Sequence, residues 1–138
     1  MISDNDPNLP IETLYTMPSQ KGYTQQLQLV YHLRKYILEH INYFSFDIER
    51  DKLGIALSTT YTILSETVKT ITGKTLMEYI NLVRLEKARQ MLENNPEQTV
   101  KAIAEECGFN HRAFIRLFRE HYSFSPSKYR KMAGKVEE

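Results

Sequence analysis

The 138 residues, 41% of them hydrophobic, suffice for the core of one ordinary domain or two small ones and argue against disorder throughout. Apolar runs of a few residues exclude a membrane span, which needs roughly 20, the first thirty residues lack the pattern of a secretory signal, and the single cysteine, Cys107, excludes an internal disulfide. With 18 Lys+Arg against 17 Asp+Glu the chain is no uniformly basic binder, yet between Gly108 and Lys135 seven basic residues (Arg112, Arg116, Arg119, Lys128, Arg130, Lys131, Lys135) stand against one acidic, Glu120. The expectation is a soluble, cytoplasmic protein whose electrostatic footprint lies in that last segment.

In chain order, residues 1–23 hold Pro7, Pro10 and Pro18 among polar residues and read as a flexible leader. From Thr24 the apolar residues Leu27, Val30, Tyr31, Leu33, Ile37, Leu38 and Ile41 recur at three and four, predicting an amphipathic helix to about Asn42. Ser45 and Asp47 can cap a second helix with Ile48, Leu53, Ala56 and Leu57 inward. Ser58 stands at the turn that follows, where a positive φ is expected. Thr59 and Thr60 can cap a third helix, with Tyr61, Leu64, Val68 and Ile71 on one side and Gly73 as its stop.

Thr75 opens the longest helix, which Asn94-Asn95-Pro96 ends; its twenty residues make a rod of about 30 Å. Its first half carries Leu76, Tyr79, Ile80 and Val83, whereas Leu85, Ala88 and Leu92 point about a third of a turn away, so the rod should pack on two bodies. The earlier plan then repeats. Val100, Ile103, Ala104 and Cys107 line a short helix, Gly108 makes the turn, and Asn110 caps a helix with Phe114, Leu117, Phe118 and His121 inward. Ser125-Pro126 starts a last helix, with proline where its missing N–H is harmless. The fold class expected is all-α, about seven helices, with helix-turn-helix subdomains at 24–74 and 96–132, a connecting helix at 75–95 and a tail at 133–138.

Chemistry concentrates on the two second helices, about 60–71 and 110–122. Arg112, Arg116 and Arg119, spaced four and three, share one stripe opposite the aromatic face, where guanidiniums can take guanine edges or phosphates in a major groove. Ile115 borders that stripe, within reach of a thymine methyl. A solvated basic face is the plainer alternative. The corresponding face of the first unit, with Thr62, Ser65, Glu66 and Lys69, has groove-reading side chains but one positive charge, and Glu66 suits only a cytosine amino group. The rod's length approximates the roughly 34 Å between successive major-groove openings, so one monomer can fill two adjacent grooves. No metal-ligand spacing, phosphate loop or nucleophile motif accompanies His32, His40, His111 and His121; Asp47, Glu49 and Asp51 suit a helix start, and Cys107 suits a core. No enzyme activity and no cofactor are expected.

The segment from Asp51 to Lys131 resembles the DNA-binding domain of the arabinose-regulator (AraC/XylS) family of bacterial transcription factors. The resemblance rests on V100-K-A-I-A-E-E-C-G-F-N and R116-L-F-R-E-H-Y-S-F-S-P-S-K-Y-R130, supported by T72-G-K-T-L-M-E-Y-I and R84-L-E-K-A-R-Q-M-L. It implies two helix-turn-helix units joined by a long helix, each placing its second helix in a major groove of double-stranded DNA. By position it implies base contacts from Thr62, Ser65 and Glu66 and from Arg112, Ala113 and Arg116, with phosphate contacts from Lys69, Thr75, Arg119 and Ser125. Glu66 stands where family members often carry arginine, the stretch from Phe109 to Phe114 is one residue shorter than the usual pattern, and Ser123 replaces a glycine. The rival expectation is a protein-interaction module, with Tyr31, Tyr36, Tyr43 and Phe44 meeting another regulator or RNA polymerase.

Overall fold

A computed structural model describes residues 21–41 and 50–136. They form seven helices and no strand: α1 (Lys21–Glu39), α2 (Arg50–Ala56), α3 (Tyr61–Thr72), α4 (Leu76–Asn94), α5 (Val100–Glu106), α6 (His111–Tyr122) and α7 (Pro126–Val136). The all-α expectation therefore holds for these residues. The caps expected at Ser45 and Asp47, along with Tyr43, Phe44, Ile48 and most of the leader, lie outside them.

The chain divides into two units, the first ending at Val83 within α4 and the second taking up α4 from Arg84. In the first unit, Leu27, Leu33 and Ile37 of α1 are buried with Leu64, Val68 and Ile71 of α3, and α1 and α2 both pack on α3. Leu76, Tyr79, Ile80 and Val83 complete this core. The second core gathers Leu85, Ala88 and Leu92 with Ile103, Ala104, Cys107, Phe109, Phe114 and Phe118. The turn of α4's apolar stripe thus matches its division between two cores.

Local chemistry sets the helix ends. Thr60 Oγ1 accepts from Ile63 N at 3.2 Å, Thr99 Oγ1 from Ala102 N at 3.0 Å and Asn110 Oδ1 from Arg112 N at 2.9 Å. Thr75 and Glu78 cap α4 reciprocally: Thr75 Oγ1 accepts from Glu78 N at 3.1 Å, and Glu78 Oε1 accepts from Thr75 N at 2.8 Å. These bonds hold the Glu78 carboxyl below its ordinary pKa. Gly73, at φ 76, closes α3, and Ser125 Oγ accepts from Lys128 N at 3.2 Å.

Five expectations need correction. Helix α1 starts at Lys21 rather than Thr24, since no proline beyond Pro18 prevents another turn, and α7 runs to Val136, past the expected tail boundary. Ile41 lies beyond α1 and packs against the second core. Ala56 is exposed because Leu53 and Gly54 take the buried positions of the short α2. His121 is exposed because Tyr122, four residues after Phe118, stacks on that ring at 4.6 Å in its place.

Candidate nucleic-acid interface

The turn geometry recurs at a fixed interval. Thr59 N donates to Gly54 O at 2.9 Å and, fifty residues on, Phe109 N donates to Ala104 O at 2.8 Å. Ser58 N to Ile55 O and Gly108 N to Glu105 O are both 3.0 Å; Gly73 N to Lys69 O and Ser123 N to Arg119 O are both 2.9 Å. Ser58 and Ser123 adopt φ of 57° and 71°, with Gly108 and Gly73 as their counterparts at 81° and 76°. The two units are therefore one helix-turn-helix plan in a single register, from Leu53 and Ile103 through Thr75 and Ser125.

Gly54 has a role that sequence reasoning missed. A Cβ there would lie 2.9 Å from Thr59 O and 3.1 Å from Tyr61 N, so the backbone of the turn passes where a side chain would stand. The available signal was the small residue at the matching position, Ala104.

Helix α6 is held by an aromatic stack along its inner face. Phe114 lies 5.5 Å from both Phe109 and Phe118, and Phe118 meets the Tyr129 ring edge-on at 5.6 Å. Arg84, 4% exposed, lays its guanidinium 4.0 Å from the centre of the Phe109 ring; burial pulls its pKa down to about 10, and the ring face offsets part of that desolvation. Cys107 is buried in the same core, and burial pushes its thiol up to about 12, as suits a packing residue rather than a nucleophile.

The outer face presents Arg112, Ile115, Arg116 and Arg119, all exposed, which with Glu120 line a shallow depression. Arg116 Nη1 lies 3.4 Å from Glu120 Oε1, an exposed pair worth little in water and easily exchanged for a phosphate or a base edge. Sequence reasoning missed this pairing, although the i, i+4 spacing announces it. A second depression at the α5–α6 turn is lined by Lys101, Glu105, Phe109, Asn110, His111 and Arg112. Ala113 is half-buried, and its N–H is engaged with Asn110 Oδ1 at 3.3 Å. In the shared register Thr62, Ser65 and Glu66 match Arg112, Ile115 and Arg116, whereas Ala113 matches Ile63.

On α3, Thr62, Glu66 and Lys69 are exposed and Ser65 is half-buried. Lys69 Nζ donates to Gly73 O at 3.2 Å, which supports the helix end. Among the basic residues of the last segment, Arg130 is spent on structure. Its Nε donates to Leu92 O at 3.1 Å, Nη1 to Gln98 O at 2.6 Å and Nη2 to Asn95 O at 3.1 Å, closing the end of α4. Nearby, the Tyr129 hydroxyl donates to the Glu93 carboxylate, and Arg89 reaches both at 3.4 Å. Among the described residues no His, Cys, Asp and Glu group is placed to hold a metal ion, and no helix is long and apolar enough to cross a membrane.

A helix-turn-helix domain model matches residues 53–132. Over 88 residues the chain is 35% identical to the transcriptional activator RhaS of Escherichia coli, covering 62% of this chain and 31% of that protein, so it spans about a third of the curated relatives' length. It is similar in structure to the C-terminal domain of AraT, a response regulator from Geobacillus stearothermophilus, with a TM-score of 0.64 and 26% identity over 75% of this chain and 84% of that one. The DNA-binding domain of the global transcriptional factor AdpA, solved with a target DNA, shares the fold, with a TM-score of 0.63 and 22% identity over 73% of this chain and 88% of that domain.

Proposed function

Because the chain belongs to the arabinose-regulator (AraC/XylS) family of helix-turn-helix proteins, we propose that it is a sequence-specific transcription regulator that binds double-stranded DNA, with α6 and α3 each entering a major groove. The observation that carries the reading is α6: three arginines exposed on one face of a helix whose other face is fixed in an aromatic core. Such a helix offers rigid, bidentate donors at the width of one groove.

In this reading Arg112, Ala113 and Arg116 contact bases from α6, and Thr62, Ser65 and Glu66 from α3. Arg119 and Lys69, at matching positions near the two helix ends, meet phosphates, as do Ser125 and Thr75 at the caps that follow. A phosphate at Thr75 displaces the Glu78 carboxylate from its N–H. The two helices contribute unequally, because α3 balances Glu66 against Lys69 whereas α6 carries three arginines against Glu120. One chain holds both reading helices, so a monomer suffices for an asymmetric two-part site in the cytoplasm. Contact with RNA polymerase belongs to the same proposal.

A second reading, an interaction module for another regulator or polymerase, draws on Ile55 and Ile63, which are 75% and 51% exposed in the first unit. Binding to a randomised duplex pool, followed by fluorescence anisotropy at about 50 and about 200 mM salt and sequencing of the retained DNA, separates the two. Salt-sensitive binding with an enriched two-part motif is expected of the regulator. No binding at the lower salt would transfer the assignment to the interaction module.

A further inference from the structure

Ile115 is the exposed large apolar side chain of α6, 37% accessible on a face otherwise made of charge. Arg112 precedes it by three residues and Arg119 stands four beyond, so it borders the arginine stripe and shares a shallow depression with Arg112, Arg116, Arg119 and Glu120. In the shared register it corresponds to Ser65 of α3, at the border of the arginine stripe next to Arg119 and Arg112.

An apolar group ringed by guanidiniums needs a partner that is anionic around it and apolar at one point. A second copy of this face fails the first requirement, since arginine would meet arginine. A DNA major groove meets both: phosphates and guanine edges take the arginines, and the apolar feature it presents is the C5-methyl of thymine. We infer that Ile115 is a specificity-determining residue that packs on a thymine methyl beside the base taken by Arg112 or Arg116. The inference deepens the proposed DNA-binding function and rests on it. It adds Ile115 to the base-reading residues Arg112, Ala113 and Arg116 of α6.

The test uses the full chain and a duplex selected by it from a random pool, with each thymine replaced in turn by deoxyuridine, which removes only the methyl. One thymine is expected whose replacement weakens wild-type binding about three- to fivefold, the effect of one buried methyl group. Ile115→Ala should bind the thymine and deoxyuridine duplexes alike, while Ile115→Val, which keeps a methyl at the contact, retains most of the preference. The inference is overturned if no replacement weakens binding by twofold, or if Ile115→Ala keeps the wild-type discrimination. Failure of the parent reading shows separately, as no sequence-selective binding to the thymine duplex itself. Since Ile115 is exposed, unchanged helical circular dichroism is expected in both variants.

Discussion

Replacing Ser123 with glycine is expected to stabilise the protein, although it removes a side chain. Ser123 sits at φ 71° where the matching residue of the first unit is Gly73, and Ser58 sits at φ 57° where the second unit has Gly108. A residue with a Cβ pays roughly 1–2 kcal/mol in this left-handed region. Glycine gives back about 0.4–1 kcal/mol through its greater freedom in the unfolded chain. The difference leaves each exchange stabilising by about 0.5–1 kcal/mol. No packing is lost at Ser123, which is exposed and contributes its backbone N–H to Arg119 O, a bond that glycine keeps. The reverse exchange is equally clean at Gly73, where an added Cβ meets nothing within 4 Å, so Gly73→Ala should lose about as much. Urea denaturation followed by circular dichroism reads both, as midpoint shifts at constant slope. A lower midpoint for Ser123→Gly, or an unmoved one for Gly73→Ala, would refute the backbone argument.

Arg130→Met keeps the aliphatic stem but releases three carbonyls at the end of α4, and at this half-exposed site a loss of about 2–4 kcal/mol is expected in urea denaturation; an unchanged midpoint would deny the clamp. Glu120→Gln frees Arg116 and removes one repulsive charge, so binding to every duplex should tighten about two- to fivefold at low salt, and weaker binding would contradict the exposed pair's role. Cys107 should resist a disulfide reagent in the native chain at pH 8–9 and react once urea unfolds it. Because its folded pKa is raised from 9.0 to about 12, its contribution to stability is full below pH 9 and falls as pH climbs toward 12; Cys107→Ala should lack that part of the profile.

What the sequence made legible was chiefly local. Thr60 and Asn110 as caps, Gly73 as a stop, Gly108 as a turn, and the strained turns at Ser58 and Ser123 follow from side chains acting within a few residues. Phe114 and Phe118 announced the inner face of α6 by spacing, and the three arginines its outer face. Less legible were positions decided by backbone approach or by distant partners. Gly54 reads as a weak helix former until Thr59 O is seen beside it. Arg130 counts as one more cation until three carbonyls of a turn over thirty residues away converge on it. Buried Arg84 has no periodic signature, because its place depends on the Phe109 ring delivered by the next turn. Ala56 and His121 lay at the edges of apolar stripes, where one neighbour taking the core position decides which side chain is left outside.

The most direct test of the central claim compares Arg116→Ala with Arg119→Ala by fluorescence anisotropy on a selected duplex and on a scrambled one, across a salt series. A groove reader predicts that Arg116→Ala loses about 1–3 kcal/mol on the selected site and little on the scrambled one. Arg119→Ala should weaken both duplexes alike and make the salt slope shallower by about one. Equal losses for Arg116→Ala on both duplexes, or binding that neither substitution moves, would contradict the assignment of α6 as a reader of DNA sequence.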